Sequence, residues 1–241
     1  MSVRLLIILI HLGLFLGVST GQESQLLDIL KRHELTRTSL IHSDGTKTLI
    51  LKGFHRKNDE VLEIIMKRKD PNKLRVDYEQ NGFAVTIAYN GETGWQRKEK
   101  GDFVNVDTYI PGEFDWLKLT ADFRGYLLRF LAGEVGIEVD LLENVEFRGR
   151  KLYSISTSHP DAHINYYLNS STYYLEKMEV LKPDGSLLEE ILFSDYRMVD
   201  GIPISYRQDF KNSDGQPYTY RWDKVIINAV VYDFIFEKPK Y

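Results

Sequence analysis

The residues with the clearest capacity for chemistry stand close together in the segment HPDAH, residues 159–163. His159, Asp161 and His163 offer two imidazoles and one carboxylate, a donor set that zinc accepts. The segment falls where a hairpin turn is expected, and neither a Glu-x-x-His helix nor a distant third ligand accompanies it. A solvated turn therefore explains these residues better than a metal site, and a metal-dependent enzyme is the third-ranked interpretation.

The sequence contains no other recognisable catalytic constellation. No serine stands in a Gly-x-Ser-x-Gly setting, and no glycine-rich phosphate-binding loop is present. Glu189 and Glu190 are adjacent, so in a strand their side chains point to opposite faces and cannot act together as acid and base. We therefore expect a protein that is not an enzyme and that has no cofactor and no metal.

Two aromatic features stand out instead. The segment YNGETGWQ, residues 89–96, is typical of a strand, an Asn-Gly turn and a return strand carrying Trp95, which either plugs a core or contacts a ligand. Residues 111–132 carry apolar side chains at helical spacing and predict one or two short helices, broken near Arg124-Gly125. These helices are expected either to cover the sheet as part of the core or to move as a lid over a lipid-sized cavity.

The first 21 residues have the pattern of a secretory signal peptide. Arg4 precedes an apolar run from Leu5 to Val18, and small residues follow before an expected cleavage at Gln22. The run is too short and too lightly flanked to favour a transmembrane helix. We therefore expect an exported protein whose single domain spans residues 22–241.

Composition excludes several classes of function. The formal net charge is −4, from 31 Lys and Arg against 35 Asp and Glu, and the two signs are interspersed. The absence of a basic block argues against nucleic acid as a partner. The chain has no cysteine, so its fold depends on burial rather than on disulfides.

The segments that follow a short amphipathic helix at Gln25–Leu35 alternate with period two. Turn residues between them are so few that neighbouring strands must be antiparallel. The pattern predicts one sheet of about 10–11 strands, and a sheet of that size tends to curl. The predicted strands are Thr46–Arg56, Glu60–Lys69, Lys73–Glu79, Phe83–Asn90, Asn144–Ser156, Ala162–Asn169, Tyr173–Leu181, Leu187–Met198, Ile202–Lys211 and Tyr218–Ile227.

The alternation also predicts which side chains share a face. One face is apolar and the other wet, with Ser205, Arg207 and Asp209 on the wet side. Because a curled sheet has more apolar concave surface than a few short helices cover, the apolar face is expected to line a cavity. The side chains predicted to line it are Leu74, Val76, Tyr78, Phe83, Val85, Ile87, Trp95, Tyr166, Leu168, Ile204, Tyr206 and Phe210, with Trp116, Leu127 and Leu131 from the helical insert.

Several segments follow one another in a characteristic order and spacing. They are KLRVDYEQNG followed by AYNGETGWQ, then LTADFRGYLL, VEFRGRKLYSIS and YYLNSSTYYLEKMEV, and most strongly FSDYRMVDGIPISYRQDF. In these segments the chain resembles the LolA/LolB-like outer-membrane lipoprotein-sorting proteins of Gram-negative bacteria, and the resemblance covers nearly all of the chain after the leader. The chain departs from the family after Trp95, where many relatives have a proline-bearing segment and this sequence has RKEK.

The resemblance implies a mainly β (α+β) fold, a strongly curved antiparallel sheet forming an incomplete β-barrel closed by short helices. It also implies a periplasmic carrier, or chaperone, that binds the acyl chains of lipoproteins or another lipid in an apolar cavity. Such a carrier takes cargo from an inner-membrane donor to an outer-membrane acceptor. The family's early-strand arginine that clasps the lid helices has three candidates here, Arg56, Arg68 and Arg75.

The alternative function is a non-catalytic periplasmic interaction or sensor domain of the same fold without lipid cargo. Cavity volume distinguishes the two hypotheses. A side-chain-filled interior favours interaction through the outer surface, whereas a continuous apolar cleft of about 300 Å³ or more favours a ligand.

Overall fold

The computed structural model describes residues 21–37, 48–109, 116–159 and 162–240. The expected signal peptide lies outside these residues, except for Gly21. The described part contains a helix over 21–35 (α1), two short helices, Trp116–Ala121 (α2) and Gly125–Leu131 (α3), and a 3-10 helix at Asp233–Phe236. The break between α2 and α3 falls at the predicted Arg124-Gly125 position.

Fourteen strands make up the rest of the regular structure in the described residues. In chain order they are β1 Thr48–Lys57, β2 Glu60–Lys69, β3 Lys73–Gln80, β4 Phe83–Tyr89, β5 Gly94–Lys100, β6 Phe103–Tyr109, β7 Glu138–Leu141, β8 Val145–Phe147, β9 Arg150–His159, β10 Ala162–Asn169, β11 Leu175–Leu181, β12 Leu187–Val199, β13 Ile202–Asn212 and β14 Pro217–Ile227.

These strands form one open, curved antiparallel sheet in the order β6-β5-β4-β3-β2-β1-β14-β13-β12-β11-β10-β9-β7, with β8 also paired to β9. The pairing of β1 with β14 joins the early meander to the late one. The predicted fold class is confirmed, but the sheet has 14 strands rather than about 10–11. The sequence pattern missed β6 and β7 and merged β8 with β9, and it predicted β5 only as a return strand carrying Trp95; β7 and β8 are short, and β5 ends in four consecutive charged residues.

Tight turns fix the register of the hairpins. Asn81-Gly82 joins β3 to β4, and Asp200-Gly201 joins β12 to β13; all four residues have positive φ angles between 49° and 79°. Such φ values match the right-handed twist of flanking strands, which is why Asn-Gly and Asp-Gly are favoured there. The Asp200-Gly201 turn predicted from the sequence is therefore present.

The helices cover one face of the sheet, which we call the inner face. It carries Leu74 and Val76, and two buried apolar clusters lie on it. The first cluster joins β1–β4, β13 and β14 to α2 through residues such as Leu117, which is completely buried. The second joins α1 and α3 to β9 and β10, with Leu30 and Leu168 completely buried. Helices this short are only marginally stable alone, so burial of their apolar sides against the sheet holds them in place.

The opposite, outer face is covered by the C-terminal segment 228–240, which we call the strap. The strap runs across the outer face of β2–β5. The Lys69 amine donates to the Val231 carbonyl at 3.0 Å, and the Arg75 guanidinium donates to the Ile235 carbonyl at 2.9 Å. Phe236, within the strap, is completely buried. Among the described residues, no helix combines the length and apolar character needed to cross a bilayer.

Candidate functional site

Most of the predicted cavity residues on β3, β4 and β13 lie on the inner face. Cross-strand pairs such as Val76 with Ile87 share a face, which places the alternating set of both strands together. Leu74, Val76 and Tyr206 are buried in the first cluster. Three others are half-buried against that cluster, namely Tyr78, Ile87 and Ile204. Val85 is buried opposite Tyr78.

The predicted residues of β10 and the helical insert lie in the second cluster. Tyr166, Leu168 and Leu127 are buried there, and Leu131 packs against them as a half-buried neighbour. Burial also raises the pKa of the Tyr166 hydroxyl well above its usual value. The structure therefore divides the predicted set between two clusters on one face.

Trp95 lies on the other face, contrary to its place in the predicted set. It pairs with Ala88, the outward-facing residue of β4, and its indole Nε1 donates to the Phe236 carbonyl at 2.7 Å. The cause is the four-residue connection between β4 and β5, which pairs Tyr89 with Gly94. This register brings Gln96, not Trp95, opposite Ile87, and a one-residue change of register moves every side chain to the other face.

Two further predicted residues lie at the margins. Trp116 is 41% exposed at the start of α2. Phe83 is half-buried and meets Phe103 edge-to-face with ring centroids 5.8 Å apart, while the Lys100 amine lies 5.1 Å above its ring. Neither side chain belongs to the two clusters.

Sequence reasoning missed a run of aromatic side chains along the inner face, which we call the aromatic ladder: His55, Phe210, Tyr218, Tyr220 and Trp222. Only Phe210 was predicted. The signal was available, because the segment YTYRW places aromatic residues at every second position of β14. Strict alternation of this kind puts all three rings on one side of a strand.

The rings of the ladder contact one another in sequence. Phe210 stacks on Tyr218 with centroids 4.6 Å apart, and Tyr220 stacks on Trp222 at 5.6 Å. His55 lies 5.0 Å from Tyr220. Trp222 is buried, whereas the other four rings are half-buried. The ladder thus leads from a half-exposed end of the inner face into the first cluster.

A carboxyl group lies at the half-exposed end of the ladder. The Tyr218 hydroxyl donates to the Glu189 carboxylate. Burial raises the pKa of Glu189, and the hydrogen bond from Tyr218 partly offsets that rise. Burial also raises the pKa of Tyr220 to about 12 and lowers that of His55. Each shift favours the neutral form, as expected where water is largely excluded.

Two arginines hold the turn between α2 and α3. Arg68, on β2, donates from Nη2 to the Asp122 carbonyl at 2.8 Å, and its guanidinium lies 5.2 Å from the Phe123 ring centroid. Arg37, just after α1, donates to the Phe123 carbonyl at 2.9 Å and to the Arg124 carbonyl at 3.1 Å. Burial, together with the neighbouring charge of Arg37, lowers the pKa of Arg68 to about 10.

Of the three early-strand candidates, Arg68 is therefore the one that contacts the helical insert. Arg56 is exposed, and Arg75 points to the outer face, where its Nε donates to the Asp77 carboxylate at 2.9 Å. The Asp122 carboxylate also links the end of α2 to α3. It accepts from the Gly125 backbone N–H at 2.9 Å and forms an ion pair with Arg129 at 3.0 Å.

The HPDAH segment gains no support as a metal site. His159 ends β9 and Ala162 begins β10, so the segment occupies a hairpin connection, but Pro160 and Asp161 lie outside the described residues. In the described part of the chain, no group of three or more potential metal ligands comes together.

A cleft of about 600 Å³ lies elsewhere, between the start of α1 and the edge of the sheet after β7. None of the predicted cavity residues lines it, and its walls are mainly polar. They comprise Gln22, Gln25, Leu141, Leu142, Glu143, Asn144 and Lys151. This cleft is not the apolar cavity predicted from the sequence, which stays a prediction.

Comparison with known proteins gives a fold but no close relative. No protein-family model matches the sequence, and no curated protein matches it. Among solved structures, a LolA superfamily protein from Nitrosomonas europaea is similar with a TM-score of 0.60 at 13% identity, over 88% of this chain and 96% of that one. A domain from Vibrio parahaemolyticus assigned to the outer membrane lipoprotein-sorting proteins gives 0.59 at 13% identity, over 87% and 95%.

A third structure, a DUF1329 family protein from Desulfovibrio piger, is similar with a TM-score of 0.51 at 12% identity, over 90% of this chain and 97% of that one. At such identities the similarity concerns the fold. It agrees with the resemblance seen in the sequence segments, and it shows that this chain has the LolA-like fold of an incomplete barrel.

Proposed function

We propose that this protein is a periplasmic, non-enzymatic carrier that binds the acyl chains of lipoproteins or other lipids on the inner face of its sheet. One observation carries the proposal: the inner face presents a ladder of half-buried aromatic rings that leads into an apolar cluster. The LolA-like fold supports the same role. Burial of acyl methylenes on such a surface stabilises a complex by about 0.8 kcal/mol each.

The helical insert is the part that would have to move to admit a chain. Leu117 and Ala121 of α2 are completely buried against the sheet, while the turn after α2 is held by hydrogen bonds from Arg37 and Arg68 to backbone carbonyls. These bonds can break and reform without separating opposite charges, whereas the ion pair of Arg124 with Asp70, at 3.6 Å, would have to separate. In this proposal the insert is a lid, and an inner-membrane donor and an outer-membrane acceptor open it in turn.

The same burial favours the alternative function. If α2 never leaves the first cluster, the inner face is a filled core, and the protein acts through its outer surface as an interaction or sensor domain. The two functions differ in one measurable respect, which is whether lipid is bound.

The test is to express the full chain in a Gram-negative host, purify it from the periplasmic fraction and extract it for lipid mass spectrometry. Amino-terminal sequencing of the same sample checks the expected cleavage before Gln22. The carrier function predicts acyl lipid in near-stoichiometric amount and saturable binding of a fluorescent fatty acid. A protein that carries no lipid and binds no such probe would support the interaction function instead.

A further inference from the structure

We propose that the Trp222 indole N–H is the hydrogen-bond donor that positions bound cargo, by donating to an ester or carboxyl oxygen of an acyl ligand. This inference rests on the proposed carrier function and specifies the chemistry of its ligand. The apolar chain of the ligand lies along the aromatic ladder, and its acceptor oxygen reaches the indole at the ladder's buried end.

The first observation is an unpaired donor. Trp222 is 1% exposed, and within the described part of the chain its Nε1 has no hydrogen-bond partner. Buried N–H groups are almost always paired, because an unpaired one loses its bond to water and gains nothing in return. An unpaired donor on a face that otherwise offers apolar surface points to a partner that the described residues do not supply.

The second observation is where Trp222 lies. In the pairing of β14 with β1, Trp222 lies opposite Gly53, and Gly53 in turn lies opposite Ile64 of β2, a residue of the first cluster. A Cβ at Gly53 would lie 2.7 Å from the Trp222 Cα, so glycine allows the two strands to approach closely at this point. Trp222 is therefore held firmly on the inner face, with its ring stacked on Tyr220.

The third observation is the contrast with Trp95, an indole equally buried at 2% exposure. Its N–H donates to the Phe236 carbonyl at 2.7 Å on the outer face. The strap thus supplies a partner to the buried indole on the outer face, whereas the described residues supply none to the indole on the inner face, where cargo is proposed to bind.

Chemistry then limits the ligand. An indole N–H can only donate, so the ligand must bring an acceptor at this depth, and a cationic group is excluded. Arg68, on the same face of β2, also leaves its Nε buried without a partner among the described residues. At the other end of the ladder, Glu189 offers an acceptor. An acyl ester or acid with its carbonyl inward fits this distribution of donors.

The experiment compares Trp222→Phe with the matched control Trp95→Phe, using full chain purified after export. Two fluorescent probes are titrated: cis-parinaric acid methyl ester, which has a carbonyl, and diphenylhexatriene, which has no hydrogen-bond acceptor. We expect Trp222→Phe to weaken binding of the ester about five- to tenfold, the equivalent of one hydrogen bond, and to change diphenylhexatriene binding by less than about twofold. Trp95→Phe should change neither.

Equal losses for both probes, or no loss for the ester, would overturn the assignment of Trp222 while leaving the carrier function intact. Failure of both probes to bind the wild-type protein would overturn the carrier function and this inference together.

A second measurement needs no variant that alters the site. In ¹⁵N–¹H spectra of the wild-type protein, the three indole resonances are assigned with Trp95→Phe and Trp116→Phe. Addition of the ester should move the Trp222 proton downfield, as a new hydrogen bond requires, and leave Trp95 in place. An unmoved Trp222 resonance at saturating ester would contradict the proposal.

Discussion

The outer face of β2–β5 and the inner face of β1, β13 and β14 each bury an indole ring, and they provide for its N–H differently. On the outer face the strap supplies a carbonyl to Trp95, and it also supplies carbonyls to Lys69 and Arg75. On the inner face the Trp222 N–H is buried without a partner in the described residues.

The difference shows on which face the described chain supplies a hydrogen-bond partner to its buried indole. Where a buried polar group already has a partner within the chain, a ligand would have to break one hydrogen bond to make another. A surface with a buried, unpaired donor beside half-buried aromatic rings gains both a hydrogen bond and apolar contact from the right ligand. This difference supports the proposal that the inner face binds the ligand.

The largest expected effect is on the outer face. Phe236→Ala removes a completely buried ring and should lower the free energy of unfolding by about 3–5 kcal/mol, measured by urea denaturation. Phe234→Ala, at a ring that is 71% exposed on the same strap, should change stability by less than about 0.5 kcal/mol. Similar losses in the two variants would show that the strap does not anchor through Phe236.

A second prediction concerns α1 on the inner face. His33 is 5% exposed, and its Nδ1 lies 2.8 Å from the Tyr173 carbonyl. Burial, with the nearby charge of Arg37, lowers the pKa of His33 to about 4. Between its unfolded value of about 6.5 and the folded value, the unfolded state binds more protons, so stability falls as the pH falls through this window.

The loss assigned to His33 should approach roughly 3 kcal/mol at pH 4. Other groups titrate in the same range, so the measurement is the difference between wild type and His33→Gln, a neutral variant that can still donate to the carbonyl. We expect the unfolding free energy of the variant to depend less steeply on pH. Parallel curves from pH 7 to pH 4 would contradict the assignment.

The third prediction tests the close approach of β1 and β14 beneath the aromatic ladder. A Cβ at Gly53 would lie 2.0 Å from the Arg221 carbonyl oxygen, which is backbone and cannot swing aside. Gly53→Ala should therefore destabilise the protein by about 1–3 kcal/mol, measured by thermal unfolding. Its exposed neighbour supplies the control, since Lys52→Ala should be close to neutral.

The smallest effect is also the most direct test of the comparison between faces. Trp95→Phe removes a donor and leaves the Phe236 carbonyl unpaired, whereas Trp222→Phe removes a donor for which the described part of the chain offers no partner. Because both changes delete similar ring volume, the first should cost about 1 kcal/mol more than the second in lipid-free protein. Equal costs, or a greater cost at Trp222, would remove the distinction drawn here.

The predictable part of the fold followed from local rules. Turns such as Asp200-Gly201 and alternating strands such as Glu60–Lys69 appear where the pattern predicted them, because tight turns and pleat periodicity depend on neighbouring residues. The charged strand Gly94–Lys100 was predicted only as a return strand carrying Trp95, and the strand Phe103–Tyr109 escaped notice. Both strands lie at one edge of the sheet, where little apolar surface is buried and the alternation of apolar and polar residues is weak.

The candidate site was predicted less well, and two tryptophans show why. Trp95 was chosen because it follows a clear turn, yet the register of that turn sends it to the outer face. Trp222 was overlooked although YTYRW placed it on the face of Tyr220. Which face of the sheet becomes the inner one depends on strands that are far apart in sequence. The pairing of β1 with β14, for example, joins the two ends of the chain into one sheet.

The sequence by itself determined a mainly β chain of antiparallel hairpins with one apolar face, a short amphipathic helix and a broken helical insert. These properties depend on periodicity and turn chemistry over a few residues. Only the tertiary structure decided that the strap covers the outer face of β2–β5, that Arg37 and Arg68 hold the insert, and that one indole N–H has no partner among the described residues. Hydrogen-bond partners for buried groups come from segments up to 181 residues away, and no local pattern encodes such pairings.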